Sequence, residues 1–362
     1  MMRDPVDDQI QAPLLRYLQA RLKQPNLGYL QTPQRFAGGV ENRVYGFSLH
    51  DAGEDFSKPL ILRLFAPHDE PTRGHRECAL QNALANLGFP AARALLSEVD
   101  IAVLGGPFTI MHRLPGRIRS ATSIGLSNAL QSWLEWSFLA PTRVAEVQAK
   151  LHRVDAAAVM RSMRGAGADL LTTHSRLEEI RERIERSSLD GLRGGVAWLF
   201  EHEPRNNVRL AICHGDLWAG NILTDGTRVS GVIDWSMAAL APPEFDVAIT
   251  RMGWRYGVPE MPGVLGVVLV PVQFDASERY LRAYRRRHEV NPSLLSYFQA
   301  MRCLEVCSWV YERRLGIVGA IRADLGPNIW DVPGSTRGFE SHFRRCTGVV
   351  LDLPPESYKF FY

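Results

Sequence analysis

The sequence predicts a two-lobed α+β protein: an antiparallel sheet carrying one helix, then a larger, mostly helical lobe with one embedded hairpin. Three observations predict it. Residues 31–113 hold several strand-like runs and a single helical segment. From about residue 120 helical patterning dominates. The stretch HGDLWAGNILTDGTRVSGVIDW, residues 214–235, then interrupts the helices with two short apolar runs around Asp225–Gly226, a hairpin signature. At 362 residues the chain has the length of two domains or one bilobal unit. The expected division is 1–112 and 113–362.

The elements follow in order. Residues 1–30 look helical, with Leu14, Leu15, Leu18 and Leu22 on one face. PQRFAGGVENRVYGFSLHD reads as two strands around a Gly-Gly turn. KPLILRLFAP is a third strand, apolar enough to be buried on both faces. PTRGHRECALQNALANLG is a helix, starting after Pro71 with Thr72 as its cap and ending at Gly88. ARALLSEVD and GGPFTIMHRLPG form two more strands around a second Gly-Gly turn. SNALQSWLEWSFL, TRVAEVQAKLHRVDA, HSRLEEIRERIERS, ASERYLRAYRRRHEV and SLLSYFQAMRCLEVCSWVYERR carry the helical lobe.

Composition excludes several classes. The chain is 46% hydrophobic and 22% charged, as globular proteins are. A formal net charge of +3 is too small for a nucleic-acid footprint. Five scattered cysteines, Cys78, Cys213, Cys303, Cys307 and Cys346, argue against a disulfide framework. The polar start, MMRDPVDDQI, is unlike a signal peptide, and the longest apolar run, GVLGVVLVPV, is half a membrane span. The expectation is a cytoplasmic protein with no membrane or nucleic-acid partner; the oligomeric state is left open.

The hairpin carries the chemistry. Asn221 follows Asp216 by five residues, and Asp234 lies thirteen further on. Two hard oxygen donors, Asn221 and Asp234, suit Mg²⁺, which takes few protein ligands and leaves positions for water and phosphate. Asp216 is then available to orient a hydroxyl and accept its proton. Phosphoryl transfer needs this division of labour. The same residues could also serve as turns and caps, but the two halves together stand near the spacing of a kinase catalytic loop and its DFG segment.

The amino-terminal half offers an independent check. Arg63 interrupts the apolar run PLILRLF, where an unpaired charge is costly. Glu77 precedes Leu80 and Leu84 by three and seven, placing a carboxylate on the apolar face of its helix, and it is the natural partner. Gly38 and Gly39 stand where a hairpin could close over phosphates with its backbone N–H groups.

These pieces together resemble the aminoglycoside phosphotransferase and choline-kinase-like family, with its protein-kinase-like bilobal fold. The matching segments are FAGGVENRVY, LILRLF, RECALQNAL, FTIMHRLPG, AKLHRVD, HGDLWAGNIL, GVIDW and PPEFDVA, in family order from about residue 36 to 248. The resemblance implies ATP, with GTP possible, and Mg²⁺. It implies adenine against Ile110, Met111 and His112, Asp216 as base, and Asn221 and Asp234 as metal ligands. His214 and Asp246 would brace the catalytic loop. Arg63 stands where kinases carry Lys, and Trp235–Ser236 replaces the Phe-Gly of protein kinases.

Only twelve positions separate Asp234 from Asp246, too few for the activation segment of a protein-directed kinase. The expected acceptor is a small molecule with a hydroxyl, an antibiotic or a metabolite. From Arg255 onward 14 Lys plus Arg face 11 Asp plus Glu, a balance that does not favour a polycation. Trp235, Trp254 and Tyr256 are candidates for an acceptor pocket, with core packing and a cleft position equally open for Trp254 and Tyr256. A nucleotide- or ligand-binding protein without turnover, and a metal-dependent hydrolase using His214 and the aspartates, are the competing readings.

Overall fold

The computed structural model describes residues 5–36, 43–67, 70, 72–118, 135–204, 208–256, 264–315 and 333–352. It is a mixed α+β structure, with an antiparallel sheet near the amino terminus and helices dominating thereafter. The chain forms two compact units. One comprises Met1–Ile118, Ala157–Asp169 and Ile222–Ser236; the other comprises Arg119–Ala156, Leu170–Asn221 and Met237–Tyr362.

In the first unit, strands β1 (Gly28–Arg35), β2 (Arg43–His50), β3 (Leu60–Leu64), β4 (Ala94–Glu98) and β5 (Phe108–His112) form one sheet in the order β1-β2-β3-β5-β4. All its pairings are antiparallel. Strand β3 alternates: Leu60, Leu62 and Leu64 are buried, while Ile61 and Arg63 are half-buried on the opposite face. The apolar set joins Tyr45, Phe47, Phe108 and Ile110 under helix α1 (Pro5–Leu22), which contributes Ile10, Leu14 and Leu18. Leu15 and Leu22 pack at the margin of that core. So α1 serves as a lid on one face of the sheet.

Helix α2 (Thr72–Asn86) carries Glu77, Leu80 and Leu84 on its buried side. Thr72 is the first residue of the helix, and its hydroxyl bonds Glu70. The stretch between β4 and β5 is more than the expected Gly-Gly turn. It holds a short helix, α3 (Ile101–Leu104), in which Asp100 accepts from the Ala102 N–H and Gly105 closes the end at φ 79°.

The hairpin strands Ile222–Asp225 and Arg228–Val232 pair antiparallel, turning at Gly226 with φ 59°. A short strand, Arg117–Ile118, pairs with the first of them, and the Val232 N–H donates to Pro90. Through these bonds the hairpin packs with the sheet of the first unit.

In the second unit a small sheet places Ala239–Ala241 between Leu171–Thr172 and Ala211–Cys213. Around it lie the helices Ala140–Leu151, Thr173–Arg186, Arg193–Glu201, Pro243–Tyr256, Val264–Arg285, Pro292–Arg314 and Pro333–Thr347. Among the described residues no helix is long and apolar enough to cross a membrane.

Candidate active site

In the first unit the structure brings Arg63, Glu77 and Asp234 together. Arg63 Nη1 donates to Glu77 Oε2 at 2.6 Å, and Nη2 donates to Asp234 Oδ1 at 3.1 Å. The guanidinium lies over the Phe65 ring, 5.1 Å from its centroid. Arg73 reaches the other Glu77 oxygen at 3.3 Å. Side-chain exposure is 11% for Arg63 and 4% for Glu77, but 43% for Asp234. One end of the chain of charges is therefore dry and the other wet. Burial pushes the Glu77 carboxyl up from its ordinary value, and the Arg63 guanidinium opposes that without cancelling it. Breaking such a dry pair costs about 3–5 kcal/mol.

Asp234 has φ 63°, a left-handed conformation rare outside glycine. It follows the hairpin, whose last ladder pair is Ile222 with Val232. Asn221 directly precedes that pair and Asp234 follows it by two residues. Both therefore leave the ladder at the same end.

The second unit fixes the segment before the hairpin. After the strand Ala211–Cys213 the chain turns at Gly215, φ 80°. A Cβ there would strike the Met237 carbonyl. The backbone N–H groups of His214 and Gly215 donate to Asp246 Oδ2 and Oδ1 at 2.8 and 2.7 Å. His152 Nε2 donates to the same Oδ2 at 3.1 Å, and its Nδ1 stands 2.6 Å from the Tyr284 hydroxyl. Burial alone would raise the Asp246 carboxyl, but the His152 hydrogen bond and charge, with His214, outweigh it and hold the group below its ordinary value.

Beyond the turn, the Asp216 N–H meets His214 Nδ1 at 3.3 Å. The Asn221 amide nitrogen donates to the Asp216 carbonyl at 2.8 Å and to its Oδ2 at 3.3 Å. The loop floor is held by Thr250, whose hydroxyl donates to the Leu217 carbonyl at 3.0 Å. Thr250 accepts in turn from Gln148, itself bonded by the Tyr280 hydroxyl.

His152, Cys213 and Asp246 bring one ligand-type atom each within 4.8 Å of one another. They form a hydrogen-bonded knot. His152 is spent on Asp246, the thiol points at the Ala241 and Pro242 carbonyls at 3.6 Å, and burial pushes the Cys213 thiol far up.

The remaining predicted positions fall differently. Ile110 is fully buried in the sheet core, so its side chain belongs to packing. Met111 and His112 are half-buried, and His112 Nε2 meets the Asp55 carbonyl at 2.7 Å. The backbone N–H groups of His112 and Arg113 are taken by the carbonyls of Arg93 and Pro59. Trp235 packs edge-on to Phe89 with its indole N–H on the Val232 carbonyl, and Trp254 is buried too. These indoles are core side chains rather than open pocket walls. Tyr256 lies against the Pro333–Thr347 helix, its ring 5.0 Å from that of Phe339. Gly38 and Gly39 lie outside the described residues.

The sequence profile of the phosphotransferase enzyme family, APH, matches residues 32–287, well over half of the chain. The chain belongs to this family. Solved phosphotransferases share its protein-kinase-like fold. A Ralstonia eutropha protein assigned as an aminoglycoside phosphotransferase superposes with a TM-score of 0.61 at 18% identity, covering 92% of this chain and 98% of that one. Macrolide 2'-phosphotransferase MphH from Brachybacterium faecium gives 0.52 at 18%, covering 95% and 99%. A thermostable mutant of aminoglycoside phosphotransferase APH(4)-Ia, in ternary complex with ADP and hygromycin B, gives 0.56 at 14%, covering 93% and 98%. Among curated proteins, mouse acyl-CoA dehydrogenase family members 10 and 11 are each 26% identical across 83% of this APH chain. The chain spans 28% and 40% of the length of those two relatives.

Three supports of the APH loop escape a reading of spacing alone: His152, Thr250 and Tyr284. His152 sits in AKLHRVD, a segment that matches the family, but nothing local says what it bonds. Its partner Tyr284 is 132 positions away.

Proposed function

We propose that the protein transfers the γ-phosphate of ATP or GTP to a hydroxyl of a small molecule, with Mg²⁺ at the nucleotide. The observation that carries this reading is the guanidinium of Arg63, shared between buried Glu77 and exposed, left-handed Asp234. Structure alone has little use for a half-wet carboxylate held in a strained conformation at the end of a dry ion pair; such strain clusters at functional sites.

In this reading Asp216 receives the proton of the acceptor hydroxyl. The hydroxyl oxygen forms a bond to the γ-phosphorus as the bond to the β–γ bridging oxygen breaks, and the nucleoside diphosphate leaves. Asn221 commits its amide nitrogen to Asp216, which turns its carbonyl oxygen to serve as a ligand. That oxygen and the Asp234 carboxylate are the hard donors Mg²⁺ takes, and the ion would neutralise phosphate charge. Arg63 orients Asp234. Asp246 holds the loop that carries Asp216 by accepting from two consecutive backbone N–H groups. The base of the nucleotide is assigned to the segment around Met111 and His112, with Ile110 supporting it from the core.

The acceptor is proposed to be neutral or anionic rather than polycationic, on the basic balance of residues 255–362. A thermal-shift comparison tests the nucleotide half of the reading. Mg²⁺ with ATP or GTP should stabilise the parent, and Asp234→Asn should lose the part that depends on Mg²⁺. Equal stabilisation of both proteins with and without the ion would overturn it.

A further inference from the structure

A second polar cluster lies on the other end of the helix that carries Asp246. That helix ends in Tyr256, ten residues on, about 15 Å away at 1.5 Å per residue. There the Tyr256 ring rests on the Pro333–Thr347 helix, where a Cβ at Gly338 would meet the ring. Arg345 Nη2 donates to both the Tyr256 oxygen and His342 Nδ1, each at 3.1 Å, and the Tyr256 hydroxyl stands 3.2 Å from the same Nδ1. With Nδ1 accepting, the His342 proton sits on Nε2, which faces Gln299 Oε1 at 3.3 Å.

This arrangement leaves one group short. Gln299 is 95% buried and its amide nitrogen has no hydrogen-bond partner among the described residues. An orphaned buried donor is costly, so such groups call for an explanation. The surroundings are positive. Burial first, then the charges of Arg345, Arg255 and Arg251, drive the imidazole of His342 down to about 3, so it is neutral at ordinary pH. Of these, Arg251 is balanced by Glu278 at 2.5 Å. No carboxylate is hydrogen-bonded to His342 or Gln299 among the described residues. What the cluster lacks is an acceptor for the Gln299 amide nitrogen.

We propose that Tyr256, Gln299, His342 and Arg345 form an oxyanion site that takes the carboxylate or phosphate group of a small molecule. The anion accepts from the Gln299 amide and draws Arg345 off the imidazole, giving a bond between opposite charges in place of one to a neutral ring. The site stands apart from the phosphotransfer reading, because its helix places it about 15 Å from Asp246.

The test is ¹³Cε1-histidine NMR on the full chain, with the His342 signal assigned from a His342→Gln spectrum. Inorganic phosphate and acetate are titrated separately against chloride at matched ionic strength. The expected result is a saturable shift of the His342 signal, weakened about tenfold or more in Arg345→Gln and in Gln299→Leu, which is about 1.4 kcal/mol. Saturation by phosphate alone assigns a phosphate ligand, and by acetate alone a carboxylate. A drift matching chloride, or the same binding in both variants, would overturn the proposal and leave Gln299 to an adventitious water. Arg345 is exposed, so its replacement is expected to fold.

Discussion

Asp246→Asn keeps size and shape and removes one charge. The aspartate is fully buried and accepts three hydrogen bonds, from the N–H groups of His214 and Gly215 and from His152. An asparagine has one carbonyl oxygen. Its best orientation keeps that oxygen where Oδ2 stood, facing His214 and His152. The new NH₂ group then faces the Gly215 N–H, donor against donor. One charge-assisted bond is lost, worth about 1.5–3 kcal/mol, and the buried Gly215 donor is left unpaired at a further 1 kcal/mol or more. The expected loss is about 3–5 kcal/mol, a large share of the roughly 5–15 kcal/mol that holds a domain. Urea unfolding at neutral pH measures it. Because the Asp246 carboxyl is held below its ordinary value, its contribution is full above the ordinary aspartate range and fades as pH falls through the lower folded value. The gap between parent and variant should therefore shrink on acidification. A difference under about 1 kcal/mol, or a gap independent of pH, would refute an ionised acceptor at this position.

Other outcomes follow from the same geometry. Glu305 is bracketed by Arg176 at 2.9 Å and Arg302 at 2.6 Å; burial works against its charge, but the two arginines hold its carboxyl at about 2. It should supply about 3 kcal/mol of stability above pH 4.5, lost as pH falls toward 2, and Glu305→Gln should cost about 3 kcal/mol in thermal or urea unfolding by removing the carboxylate that Arg302 and Arg176 share, Arg176 keeping Glu179. Gly215→Ala forces a Cβ toward the Met237 carbonyl at a positive φ, so both stability and turnover should fall; a parent-like melting curve would show that the turn tolerates a side chain. Arg63→Lys replaces a fork that serves two carboxylates with a point charge, and Mg²⁺-nucleotide affinity should drop about tenfold by calorimetry; unchanged affinity would remove Arg63 from the nucleotide site.

Much of this was legible where the signal is local. The apolar run of β3 fixes its alternation, so the one charge inside it, Arg63, asks for a partner. The 3.6-residue period of α2 puts Glu77 on the face that supplies one. The hairpin is equally local: Asp225–Gly226 sets the turn, and two matched strands return the chain to where it entered. Signals that depend on tertiary contact were not legible. His152 is defined by Asp246 and Tyr284, each about a hundred residues away or more. The short helix at Ile101–Leu104 sits where two glycines suggest a turn; its signal was Asp100 ahead of an apolar quartet, a cap too short to stand out. Tryptophan carries the same apolar weight in a core as in a pocket wall, so spacing could not separate those roles for Trp235 and Trp254.

The central claim is that Asp216 receives a proton during phosphate transfer. Steady-state turnover of ATP and GTP across a library of hydroxyl compounds, parent beside Asp216→Asn, tests it directly. The account predicts acceptor-dependent nucleoside diphosphate release by the parent, with a loss of about a hundredfold or more in the variant while nucleotide binding persists. Undiminished transfer by Asp216→Asn would contradict it, as would nucleotide binding with no turnover for any acceptor, the behaviour of a silent binding protein.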